Sequence, residues 1–271
     1  MLVVDAQVHL WRNNLPTNQN HRQILNFTAE DLLREMDEAG VDAALVHPPG
    51  WDPNSNQLAI DAARERPTRL GILGNFPIDQ PPNRERVEGW KNQPGMLGLR
   101  WALNQPYQEA WTRDGTLDWL WPVAESAGVP IAFIGPGTQA MIGRVAERYP
   151  GLKLIVDHLG RIGGAKDDEA FANLSELLAL ARFANVAVKA TGAPSYSSEP
   201  YPYRNIHGYL HQIYDAFGPD RMFWGTDITR MPCSWRQCVT MFTEELPWLS
   251  ATDKELIMGR AVCAWLDWTL D

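Results

Sequence analysis

The sequence predicts a single (β/α)8 barrel, a TIM barrel, over residues 1–271, and three observations carry that prediction. Short apolar runs alternate with amphipathic segments along the whole chain, the rhythm of βα units around a parallel sheet. A length of 271 residues suits one such barrel and does not require a second domain. The turn after the first strand lacks the G-x-G-x-x-G pattern of a dinucleotide-binding open sheet, which disfavours the doubly wound alternative.

In chain order, strands are expected over Leu2 to His9, Val41 to His47, Arg69 to Phe76, Gly98 to Ala102, Pro130 to Ile134, Lys153 to His158, Asn185 to Lys189 and Arg221 to Asp227. The first helix opens at T-A-E-D, with Thr28 as N-cap and Asp31 three residues on, and closes at Gly40. The fourth closes in the same way at Gly128. Later helical periodicity runs through residues 167–182, 205–218 and 234–246, and an extra C-terminal helix is expected through L-I-M-G-R-A-V-C-A-W-L. The longest irregular stretches, Arg12 to Phe27 and Gly192 to Asn205, both follow strands. They therefore belong on the face where barrel enzymes place their sites, and their length is that of lids.

Composition narrows the function classes. A net charge of −9 argues against a nucleic-acid surface, which needs a basic stripe. Three cysteines without paired zinc spacing suggest neither a disulfide framework nor structural zinc, so a reducing, cytoplasmic setting is expected. No apolar run reaches the length of a membrane span, and no membrane partner is expected. Tryptophans on outer helices would permit a homodimer.

Because strand ends converge on a barrel, polar residues there can meet. Strand one ends Q-V-H, with Gln7 and His9 two apart and so on one face. His47 ends strand two, Arg100 lies in G-L-R-W, His158 in V-D-H-L-G-R and Asp227 in W-G-T-D. Basic residues Arg12, Arg100, Arg161, Arg204 and Arg230 follow strand ends, a positive mouth suited to a small anionic substrate. Tyr196, with Tyr201 and Tyr203, offers aromatic walls. His207 and His211 are four apart on a helix, but Gly208 stands where a zinc-protease motif needs glutamate, so packing or surface roles are expected.

Taken together, V-D-A-Q-V-H-L-W, G-L-R, V-D-H-L-G, N-V-A-V-K-A-T-G and F-G-P-D-R-M-F-W-G-T-D resemble the amidohydrolase superfamily over nearly the full chain. The resemblance is greatest to the amidohydrolase-related branch of lactonases and decarboxylases. It implies that His9, His158 and Asp227 form the catalytic set and are the ligands of an optional divalent metal, zinc or manganese. It also implies that Gln7 stands where the first histidine of a His-x-His pair belongs. A neutral amide oxygen is a poor ligand beside imidazole, so zinc affinity should fall, and the branch includes lactonases that work without metal. Gln7, His47, Arg100, Arg161, Tyr196 and Arg204 are the expected substrate-binding residues. Arg100 matches the strand-four arginine that holds a substrate carboxylate in the branch. The implied activity is hydrolysis of a small carboxylated lactone or related ester, with Asp227 as base on water. A metal-dependent decarboxylase or a non-catalytic binding barrel are the alternatives.

Overall fold

The computed structural model describes residues 1–79, 83–161 and 163–270. Eight parallel strands run in one sheet in chain order: β1 (Val4–Val8), β2 (Ala43–Val46), β3 (Leu70–Gly74), β4 (Met96–Ala102), β5 (Ile131–Ile134), β6 (Leu154–Val156), β7 (Val186–Thr191) and β8 (Met222–Gly225). The seam between first and last strands is held by the Asp227 amide donating to the Gln7 carbonyl at 2.7 Å and the Thr226 amide donating to Asp5 Oδ1 at 2.8 Å. The barrel prediction is therefore met.

Both faces of every strand but β4 are fully buried, so those strands read as continuous apolar runs rather than alternating ones. Val4, Ala6, Ala43, Leu45, Leu73, Ala132, Ile155, Ala187 and Phe223 fill the barrel interior, and residues of the opposite parity, such as Ala44, Val46, Val188 and Trp224, pack outward on the helices. The interior cluster includes Val262, Leu266 and Trp268 from the chain's end, so the C-terminal helix is a plug for the barrel. That helix is continuous from Ala251 to Leu266 through a π-helical turn at Leu256–Arg260. Gly259 lies against the Leu2 carbonyl, where a Cβ would come within 2.7 Å of the oxygen.

Helix α1 (Ala29–Ala39) begins with the expected reciprocal cap of Thr28 and Asp31 and ends at Gly40 in the left-handed region, φ 77°. It is followed by α2 (Ser55–Glu65), α3 (Arg84–Glu88), α4 (Gln108–Trp111), α5 (Leu120–Ser126) and α6 (Thr138–Arg148). The periodic stretch 167–182 is not one helix. It breaks into α7 (Asp167–Ala170), α8 (Leu174–Ala179) and a 3-10 turn, Leu180–Arg182. The Arg161 guanidinium donates to the Ala170 carbonyl at 3.0 Å and to Asn173 Oδ1, taking the acceptor a continuing helix would offer to the Leu174 amide. Leu174 bonds Phe171 instead. The outer layer closes with α9 (His207–Phe217) and α10 (Trp235–Thr243), and the plugging C-terminal helix comprises α11 (Ala251–Glu255) and α12 (Ala261–Leu266).

Several strands end one or two residues before the sequence suggests, and the residues past their ends carry the chemistry. His158 and Asp227 leave the ladder with φ of 51° and 63°, a region non-glycine residues seldom occupy. In β1, Asp5 pairs with Ala44 and Val8 with Val46, so β1 spends one residue more than β2 over that interval. This bulge shifts the alternation, and Gln7 and His9 turn toward the barrel axis although Asp5 points outward.

Candidate active site

Two tiers of polar side chains lie at the C-terminal mouth. In the deeper tier, the Lys189 ammonium is 2.9 Å from Asp157 Oδ1, 3.0 Å from His47 Nε2 and 3.3 Å from Gln7 Oε1. Asp157 also accepts from Arg100 Nε at 2.7 Å. Burial opposes charge on Asp157, but Lys189 and Arg100 outweigh it and hold the carboxyl well below the usual range. Burial likewise lowers Lys189 to about 8, with Asp157 resisting, so the amine remains charged at neutral pH. Burial and the neighbouring Lys189 push His47 well below its ordinary value and keep it neutral.

The upper tier is built around Asp227. Arg230 Nε donates to Asp227 Oδ2 at 2.6 Å. Oδ1 is buried and receives no hydrogen bond from the described residues; it faces His9 Nε2 at 3.3 Å and His21 Nδ1 at 4.0 Å. His158 Nε2 lies 3.9 Å from Oδ2. Burial disfavours the Asp227 charge, yet His9 in its protonated form and Arg230 hold the carboxyl well below the ordinary value. Burial lowers His158 to about 3 and His21 to about 4, so both stay neutral above mildly acidic pH. His9 Nδ1 lies 2.6 Å from the His47 carbonyl, which can only accept. In neutral His9 the Nδ1 therefore carries the proton, and Nε2 turns a lone pair toward Asp227.

His21 comes from the segment between β1 and α1. The Arg22 amide donates to the Thr229 carbonyl at 2.8 Å, and His21 Nδ1 lies 2.7 Å from Thr229 Oγ1, which pins the segment beside β8. Trp51 packs on His9 and His21 with ring centroids 5.6 and 4.9 Å away. His9, His21, His158 and Asp227 are consequently only 4, 5, 7 and 3% exposed, so the mouth is covered.

Of the residues singled out from sequence, Gln7, His9, His47, Arg100, His158 and Asp227 converge here. Tyr196 is buried beside them, its ring under Arg230, with its hydroxyl 3.5 Å from the His158 carbonyl. Arg161 and Arg204 do not join. Arg161 is committed to the Leu159 and Ala170 carbonyls and Asn173, while Arg204 lies at the exposed rim against Glu245 at 3.2 Å. His211 stacks on Trp248, and His207 bonds the Pro202 carbonyl, which fits the packing roles expected of them.

Lys189, Asp157 and His21 also belong to the cluster, although none was among the site residues expected from the sequence. A lysine inside V-A-V-K-A-T was the available signal for the first, because a buried strand tolerates an ammonium only with partners. His21 lies in an aperiodic loop and gave no such signal.

The side chains that lie close enough together to share a metal differ from the set the resemblance implies. His9, His21 and Asp227 each offer a ligand atom, all within 4.8 Å of one another. The unpartnered Asp227 Oδ1 and the His9 lone pair fit a divalent cation, which would have His21 as third ligand and retain an open position. Arg230, Lys189 and Arg100 surround that point with positive charge, so such an ion would be held weakly. Gln7 is not free to assist, since its Oε1 lies beside the Lys189 ammonium.

A barrel that gathers strand-end histidines and an aspartate past β8 on one mouth has the site architecture of a barrel enzyme. The Amidohydrolase family model matches residues 4–260, and the chain belongs to that family. Three solved structures illustrate the likeness. An amidohydrolase from Burkholderia multivorans with bound zinc aligns with a TM-score of 0.85 at 18% identity, over 99% of this chain and 100% of that one. A probable 2-pyrone-4,6-dicarboxylic acid hydrolase from Acinetobacter baumannii, with citric acid bound, gives 0.75 at 14%, over 98% and 100%. The 5-carboxyvanillate decarboxylase from Sphingomonas paucimobilis gives 0.74 at 16%, over 99% of both. At these identities the likeness establishes the fold. Curated protein sequences give no match.

Proposed function

We propose that the protein hydrolyses a small carboxylated lactone or related ester. The observation that carries this reading is the asymmetric state of Asp227: one oxygen is held by Arg230 and the other is buried, unbonded and turned toward His9. A water beside Oδ1 would lose its proton to Asp227 as it attacks the carbonyl carbon. With its carboxyl held well below the ordinary value, Asp227 is ionised throughout the neutral range and accepts the proton only as the tetrahedral centre forms. The His9 Nε2 lone pair, 3.3 Å away, can share that proton before it passes to the leaving alkoxide. His158 faces the developing oxyanion as a donor.

The fixed charges favour an anionic substrate. Arg100, Lys189 and Arg230 are matched by only two carboxylates, Asp157 and Asp227, within the cluster. Arg100 uses only its Nε on Asp157 and makes no other hydrogen bond to the described residues, so its terminal nitrogens are available to a carboxylate. A divalent ion, if bound by His9, His21 and Asp227, would supply Lewis acidity and a more acidic water.

The test is a panel of carboxylated five- and six-membered lactones followed by proton release. Asp227→Asn should lower kcat by about 10²- to 10⁴-fold while the far-UV circular dichroism of the folded barrel is retained. Full turnover in that variant would sink the assignment. Decarboxylation is the second reading, favoured by the His9, His21 and Asp227 trio and by the decarboxylase among the structural neighbours. Carbon dioxide release from aromatic carboxylates, together with about one zinc or manganese per purified chain, would select it over metal-free hydrolysis.

A further inference from the structure

Arg230 touches two reacting groups at once. Nε donates to Asp227 Oδ2 at 2.6 Å, NH1 to Ser195 Oγ at 3.1 Å, and NH2 lies 3.1 Å from His158 Nδ1. A guanidinium has donors and no acceptor. If His158 carried its proton on Nδ1, two N–H groups would point at one another across 3.1 Å. Thr191 Oγ1, 2.8 Å from the same nitrogen, is ambivalent, because a hydroxyl can donate or accept. Arg230 removes that ambiguity. Gly192 makes room for this placement: its φ is 77°, and a Cβ there would collide with the Arg230 guanidinium.

We propose that Arg230 is a positioning residue that locks His158 as the Nε2–H tautomer, making it a hydrogen-bond donor to the substrate and withholding it from metal ligation. The lock rests on the reading of this cluster as the reacting site, but its geometry is independent of the substrate. An Nε2 that carries a proton presents no lone pair to a cation beside Asp227, so the lock disfavours His158 as a ligand. One side chain thus fixes both partners, Asp227 as a carboxylate with Oδ1 free and His158 as a donor.

Histidine-selective ¹⁵N NMR tests the proposal directly, with the His158 signals among the six histidines assigned by loss in His158→Gln. The full-length wild-type protein should show His158 protonated on Nε2 and bare on Nδ1. In Arg230→Met, Thr191 becomes free to accept, the Nδ1–H form should appear, and zinc affinity measured by chelator competition should rise about tenfold or more as His158 gains a lone pair. Arg230→Lys should retain the wild-type tautomer in part. An Nδ1–H form in the wild-type protein overturns the lock even if every variant fails to fold. So does an Arg230→Met spectrum and zinc affinity identical to wild type. A wild-type Nε2–H signal with no turnover across the lactone panel would support the lock and remove the hydrolase reading.

Discussion

Asp5 receives four donors, from the amides of Gln7 and Thr226, the Thr226 hydroxyl and the Trp235 indole, and it joins β1, β8 and α10 at the barrel seam. Gly225 is obligatory beside it, since a Cβ would come within 2.8 Å of the Ala6 amide nitrogen and 2.9 Å of Asp5 Oδ1. Asp5→Ala would orphan all four donors in a dry environment, and we expect a loss of about 3–5 kcal/mol in urea unfolding. A loss under about 1 kcal/mol would contradict the staple. At the mouth, Arg100→Met should raise KM for a carboxylated lactone about tenfold or more with little change in kcat, because a carboxylate anchor binds ground and transition states alike. An unchanged KM would remove Arg100 from substrate binding.

At the scale of elements, the segment between β1 and α1 is part of the site as well as its cover. It delivers His21 to Asp227 and is fixed by the Arg22 to Thr229 backbone bond and by the antiparallel bridge between Trp11 and Phe27. With His9, His21 and Asp227 as the ligand set, His21→Ala should weaken zinc binding about 10- to 100-fold, whereas His158→Ala should leave it within about threefold. Equal losses in the two variants would restore His158 to the metal set. The capping box that starts α1 was legible from T-A-E-D, because a cap is local chemistry between residues three apart. The interruption of the 167–182 helix was not legible, because it depends on Arg161 arriving from the end of β6 to take a carbonyl.

For the whole molecule, the buried histidines set the response to acid. His158 and His21 are lowered by burial to about 3 and about 4, and His47 falls well below the ordinary histidine value of 6.5. A group that folding holds neutral contributes its stability above the unfolded pKa near 6.5 and loses it as pH falls toward the folded value. Asp5 acts in the opposite direction. Burial raises it to about 7, so its contribution is present below about 4 and lost as pH climbs through 7. Three histidines oppose that one carboxyl, and the low-lying Asp227 and Asp157 add further loss in stronger acid. Urea unfolding should therefore give a lower midpoint near pH 5 than near pH 7.5. A midpoint that rises on acidification would reverse this balance.

The linear order of residues was enough to specify the barrel and the identity of the residues at its strand ends. Both follow from short-range patterns: apolar runs of strand length, caps a few residues wide, and polar residues placed just where each run stops. It also determined that Gln7 and His9 share a face, since two residues apart on a strand leaves no other choice. Which face they share was decided only in the fold, by the bulge that turns them toward the axis. Likewise, the ammonium beside Gln7, the third histidine over Asp227 and the guanidinium that dictates the His158 proton come from β7, the segment after β1 and the turn after β8. Those groups are far apart along the chain and meet because eight strands converge on one mouth. The protonation state of each is then set by neighbours that no local stretch of sequence contains.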